Sequence, residues 1–210
     1  MNGSWTPVVE SMDRGYSSIS YWTYRDDGVE IGAGRVSVEH GKPKWPEALS
    51  EPGALEGATV GKLWRLGNNK WTTLDTQLEL SFRGQAVAKG IYYIVLARPT
   101  PEEWRMVFVS PKEAAERRLD AWAAQARPGE IPTLFEVPLR YTTGETKDEL
   151  DISLALDEGD MSKGTIRIEW GPHRLEAEFG IDVPSPTFYR TEPSASLELD
   201  NKTDGARNEG

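Results

Sequence analysis

The chain reads as all-β: an antiparallel β-sandwich with one inserted helix and irregular terminal extensions. Three observations predict this. Leu74, Thr76, Leu78, Leu80 and Phe82 alternate with Asp75, Gln77, Glu79 and Ser81, the period-2 pattern of a long strand with one wet face. Ile91-Tyr92-Tyr93-Ile94-Val95-Leu96 is apolar on both faces and belongs at the centre of a packed sheet. Further alternating runs separated by turn residues follow, as two packed antiparallel sheets require.

In chain order, residues 1–32 predict an amino-terminal extension, with Ser17 to Tyr24 as its one candidate strand. Residues 33–183 form the β-sandwich domain, opening on the short strand Arg35 to Glu39. Gly41 to Gly61 holds Pro43, Pro46 and Pro52 among several glycines, which predicts a long surface loop of the kind that often carries function or partner contact. After the central run, the Pro-rich turn Arg98 to Pro101 leads to the strand Trp104 to Val109.

One helix is specified over about 111–126. Ser110 is its N-cap, Pro111 takes the first helical position and Glu113 completes a capping box. Ala115, Leu119, Trp122 and Ala126 recur at helical spacing, and Pro128-Gly129 ends the run. Four more strands are expected. Phe135 to Tyr141 is marked as an edge or bulge by Pro138, Leu150 to Leu156 turns Ile152, Leu154 and Leu156 inward, and Gly164 to Trp170 and Arg174 to Phe179 behave alike. Residues 184–210 form a polar tail rich in Pro, Ser, Asp and Asn, expected to be disordered on its own.

Composition excludes several functions. With no cysteine, the chain has no disulfide, no thiolate chemistry and no cysteine-held cluster. A net charge of −10 opposes nucleic-acid binding and attraction to an anionic membrane surface. No apolar run approaches the roughly 18 residues of a membrane span. The start, Met1 to Ser11, lacks a basic stretch followed by an apolar core, so no signal peptide is expected in this numbering. Eight tryptophans in 210 residues is a large supply of a side chain suited to cores and interfaces.

Several blocks carry a family resemblance. Arg35 to Trp45 resembles a family's opening strand and following turn, although His40 and Lys42 stand where Tyr and Arg are more usual. Gly61-Lys62-Leu63-Trp64-Arg65-Leu66-Gly67-Asn68-Asn69 resembles its signature block. Thr72-Thr73, Ala88 to Tyr93, Trp104 to Val109 and a closing Trp-Gly-Pro hairpin within Gly164 to Phe179 follow in the same order. Over about residues 33–180 the chain thus resembles the domain of unknown function 2911, a family of β-rich, largely secreted bacterial proteins. The resemblance implies a periplasmic or extracytoplasmic location. The missing signal peptide leaves a cytoplasmic one open. It carries over no catalytic residues.

Among candidate sites, the turn Trp64, Arg65, Asn68, Asn69 and Trp71 stands first. Its Arg can bind a carboxylate or phosphate and its rings can stack on a sugar, with Trp45 as a further platform. The structural alternative has Arg65 paired with an inward acid, Asn68 or Asn69 in a left-handed turn, and the rings in the core. His40 and His173 sit beside Gly and Pro turns without ligand spacing, so neither predicts a metal site. Asp157-Glu158-Gly159-Asp160 lacks the spacing of a calcium loop and reads as a hairpin turn. Asn2 and Asn201 open glycosylation sequons by pattern only.

No catalytic residue, metal or cofactor is expected. The leading functional expectation is a non-enzymatic extrinsic accessory or structural subunit, binding a larger protein assembly through its terminal arms and long loop. A place at the periphery of a membrane complex stays open. The alternative is a carbohydrate- or small-ligand-binding module using the Trp64–Trp71 turn. A third reading, a hydrolase, needs Arg65, His40 and carboxylates to converge in one pocket.

Overall fold

The computed structural model describes residues 13–24 and 30–184. The polar tail beyond 184, most of the amino-terminal extension and both sequons lie outside them. Among the described residues, nine of ten strands follow one hydrogen-bonded path. Its order is β1 (Arg14–Tyr24), β2 (Glu30–Gly41), β4 (Thr72–Thr76), β7 (Gly90–Arg98), β8 (Trp104–Val109), β9 (Thr133–Asp157), β10 (Asp160–Asp182), β5 (Glu79–Phe82) and β6 (Gln85–Val87). Strand β3 (Lys62–Arg65) also pairs with β7. Every pairing between these strands is antiparallel.

The path folds over on itself, so the β2-β4-β7-β8 half faces the β10-β5-β6 half across one core. Phe82 of β5 meets Phe108 of β8 at 5.6 Å and Phe179 of β10 at 5.4 Å, joining the halves. The expected sandwich is therefore present. Its seam lies where the end of β2 and the following residues meet the middle of β9. There Leu150 N–H donates to Pro43 O (3.0 Å) and Trp45 N–H to Asp148 O (2.7 Å), while Ser17 Oγ accepts from Leu154 N–H (3.0 Å).

The central run behaves as its composition requires. Ile94 and Leu96 of β7 enter the inner core, while Val95 and Ala97 face outward under the helical segment. That segment makes a third layer, with Ala114, Leu119, Ala123 and Ala124 packed on Val107 and Val109.

Several expectations are corrected. The long strand over 74–82 is two strands: β4 belongs to one half and β5 to the other. Between them Thr76 Oγ1 donates to Leu78 O (2.5 Å) and accepts from Leu78 N–H (3.2 Å), local bonds that replace the ladder while the chain changes layer. Leu74, Leu78, Leu80 and Phe82 all stay buried, so the period-2 pattern runs unbroken through the crossing.

The helix over 111–126 is two short helices, α2 (Pro111–Glu116) and α3 (Ala123–Ala126). Ser110 caps α2 as expected, its Oγ accepting from Glu113 N–H at 3.2 Å. The helix then stops in a Schellman turn: Arg118 takes φ 54°, with Leu119 N–H donating to Ala114 O and Arg118 N–H to Ala115 O. The break shifts the buried face, leaving Trp122 exposed.

The loop over 41–61 contains a 3-10 turn, Glu47–Ser50, and a helix, α1 (Ala54–Thr59), which buries Leu55 and Thr59. Within the expected amino-terminal extension, Arg14–Tyr24 is a full strand on β2.

The last four expected strands are two. β9 takes in both Phe135 to Tyr141 and Leu150 to Leu156, and β10 takes in the supposed Trp-Gly-Pro hairpin. Pro138 pairs only with β8, at Arg105, because the β10 ladder begins at Arg140, so it does occupy an edge. Leu156 lies near the tip of the β9–β10 hairpin and is exposed rather than inward. Asp157 to Asp160 forms the hairpin turn, with Gly159 N–H donating to Asp157 Oδ1.

Candidate functional site

Antiparallel partners place their side chains on the same side of a sheet. Trp64 pairs with Leu96, which faces the inner core, and Arg65 pairs with Val95, which faces the outer layer. The two residues of the signature block therefore point to opposite faces. Arg65 lies over the Trp122 ring at 4.9 Å, a cation–π contact in place of the expected acid. Trp71 is buried and stacks on Tyr93, with centroids 4.9 Å apart and planes 2° from parallel. Asn69 takes φ 63°, the left-handed turn position. Gly67 and Asn68 press on the end of β2, where Gly41 leaves no room for a side chain against Asn68. Thr72 Oγ1 ties this turn to Leu66 O. The five residues named from the sequence do not converge; of them, Trp64 lines a cavity.

That cavity is a cleft of about 130 Å³. Trp64, Trp45, Trp104, Trp170 and His173 contribute its rings, and Leu55, Leu96 and Ile168 part of its aliphatic wall. Trp64 stacks on Trp170 at 4.7 Å and 25°, while Trp45 meets Trp170 edge-on at 5.0 Å and 87°. The supposed surface loop supplies a wall: Trp45, Leu49, Leu55, Ala58 and Thr59 all come from it. None of the thirteen lining residues is Asp, Glu, Lys or Arg, in a chain that is 28% charged.

A bulge makes this convergence possible. Ile168 and Trp170 line the cleft, and so do His173 and Leu175, residues of opposite parity in the same strand. Regular alternation would send the second pair to the other face. The β9–β10 register slips on both sides of Gly171, which takes φ 56° and lets the Trp45 ring sit where a Cβ would be. Gly171-Pro172 is thus no hairpin but the device that keeps one face of β10 on the cleft.

The polar groups here are few. Trp45 Nε1–H donates to Ser50 Oγ (3.0 Å) and Trp170 Nε1–H to Pro43 O (2.9 Å). His173 Nδ1 is hydrogen-bonded to Tyr141 OH at 2.8 Å. Burial pushes the His173 imidazole below its ordinary pKa, helped by Arg98 and opposed by Glu56. Arg98 lies behind the wall, 4.6 Å over the Trp104 ring, and spends its donors on Pro101 O, Thr59 Oγ1 and Glu56.

A family model described as a protein of unknown function, DUF2911, matches residues 28–179. The chain belongs to the DUF2911 family. Searches of curated proteins and of solved structures returned no match. The DUF2911 span takes in every ring of the cleft. It also takes in His40, which is no turn histidine but a 1% exposed residue at the seam. His40 Nε2 accepts from Ile152 N–H (3.1 Å), and Nδ1–H donates to Gly41 O (2.9 Å). Both ring nitrogens are thus bonded to backbone while Arg65 lies over Trp122, so the convergence that the hydrolase reading needs is not seen among the described residues.

Trp104, Trp170 and His173 were not legible as site residues. They come from different strands, and no local spacing records that the fold brings them to Trp64. No group of three or more His, Cys, Asp or Glu that could hold a metal ion occurs among the described residues. No helix among them is long and apolar enough to cross a membrane.

Proposed function

We propose that this DUF2911 chain is a non-enzymatic binding module that holds a small ligand in the Trp-lined cleft. The observation that carries the reading is the wall itself: four indoles and an imidazole around about 130 Å³, with no charged side chain among the lining residues. Apolar concave sites with a few polar groups are the usual form of a small-molecule site. His173 is the one acid–base side chain in the wall, and its Nδ1 is already held by Tyr141 OH. The site follows the small-ligand alternative read from the sequence but moves it from the Trp64–Trp71 turn to Trp64 and partners on β8, β10 and the loop.

Intrinsic tryptophan fluorescence tests this with a library of small ring compounds. Binders should lose affinity by about tenfold in Trp64→Ala, a change of about 1.4 kcal/mol. Trp71→Ala, outside the cleft, should leave it intact. A library with no binder, or with binders indifferent to Trp64, contradicts the reading.

The accessory-subunit reading keeps one observation in its favour. Tyr16 and Trp22 on β1 are 57% and 61% exposed and lie on one face of the strand. A stoichiometric companion co-isolated with the wild-type chain and lost in Tyr16→Ser/Trp22→Ser supports it. Retention by that variant counts against it.

A further inference from the structure

We infer that the cleft is built for an uncharged ligand of about one ring bearing one or two hydrogen-bond acceptors: an aromatic amide, a phenol or a cyclic ketone, rather than a sugar or an ion. This rests on the proposed function and names the ligand class of the same site.

Size comes first. The cleft measures about 130 Å³, a little under the roughly 150 Å³ of an apolar cavity that holds benzene, which sets its scale at about one ring. Charge comes next. An ion brought here would lose its hydration and meet no opposite charge among the lining residues. A cation behind the wall, Arg98, is already committed to Glu56, Thr59 and Pro101. A cationic ligand would also compete with Arg98 for the Trp104 face.

Hydrogen bonding narrows the class further. Two of the four indole N–H groups are spent on Ser50 and Pro43. Those of Trp64 and Trp104 have no acceptor among the described residues, and an exposed amide, Gln125, stands at the lining. Donors therefore exceed acceptors, which suits a ligand presenting a carbonyl or hydroxyl oxygen. A sugar ring presents a hydroxyl on nearly every carbon, and most would be buried unpaired against Leu49, Leu55, Leu96 and Ile168. Stacking is also less available to a sugar, because Trp64 and Trp170 already cover each other.

The experiment uses the full chain and four one-ring probes: benzamide, benzoate, benzylammonium and methyl glucoside. Each is titrated by calorimetry and tryptophan fluorescence at neutral pH. Benzamide should bind at least about tenfold tighter than each of the others. Trp64→Ala should weaken it. Trp64→Phe, which keeps a ring but removes the N–H, should weaken it less and serves if the alanine variant does not fold. Benzoate or benzylammonium binding as well as benzamide, still dependent on Trp64, overturns the charge rule and leaves the cleft as the site. The glucoside binding tightest overturns the ligand class in favour of a sugar. Failure of all four to bind removes both the class and the binding reading.

Discussion

Protonating His40 breaks a bond that holds the seam of the sandwich. Gly41 O can only accept and Ile152 N–H can only donate, so the ring must be neutral, with its proton on Nδ1. Burial pushes its pKa below the ordinary 6.5; the Gly41 bond and Asp151 oppose this, and Arg14 and Lys42 add to it. The unfolded chain therefore binds a proton more readily than the folded one in the window below pH 6.5. The His40 contribution is complete above that value and is lost as pH falls toward the folded pKa. Wild-type melting temperature should drop from pH 7.5 to 5 by more than that of His40→Gln, which keeps an acceptor but does not titrate. An equal drop in both would show that His40 does not carry the effect. His40→Ala should cost about 2–3 kcal/mol at neutral pH, leaving Ile152 N–H unpaired beside a cavity. At this scale little was legible: His40 stands next to Gly41 in sequence, which reads as a turn, and its partner lies 112 residues away.

Two elements depart from their sequence patterns for identifiable reasons. The helix beginning at Pro111 should continue by periodicity, but Arg118 occupies the left-handed position that Gly normally marks. Arg118→Gly should raise stability by about 1 kcal/mol in denaturant titrations, since a side chain at that φ is costly. Destabilisation would mean the turn depends on the Arg side chain. Gly171 shows the converse: the Trp-Gly-Pro block signals a turn, and only the register shows that it is a bulge inside β10. Gly171→Ala would place a Cβ in the Trp45 ring at positive φ. It should cost about 1–2 kcal/mol and displace Trp45, visible as a change in tryptophan fluorescence. Strand existence was readable, from a continuous apolar run in β7 and from alternation in β10. Strand continuity was not, because a bulge and a turn share the same residues.

At the scale of the whole molecule, the sandwich was readable because alternation survives layer crossings: Leu74, Thr76, Leu78, Leu80 and Phe82 stay buried through the bend at Gln77. The site was readable only at Trp64 and Trp45. The loop that suggested partner contact folds inward as a cleft wall, and the rings it meets lie on separate strands. Trp71 belongs to the outer layer with Tyr93, so Trp71→Ala should destabilise the chain by about 3–5 kcal/mol without touching the cleft.

The most direct measurement follows the indole N–H resonances of the ¹⁵N-labelled chain during a benzamide titration. Shifts confined to Trp45, Trp64, Trp104 and Trp170, with Trp71 and Trp122 still, are the predicted result. Movement at Trp71 or Trp122 instead, or at no indole, would contradict a ligand site in this cleft.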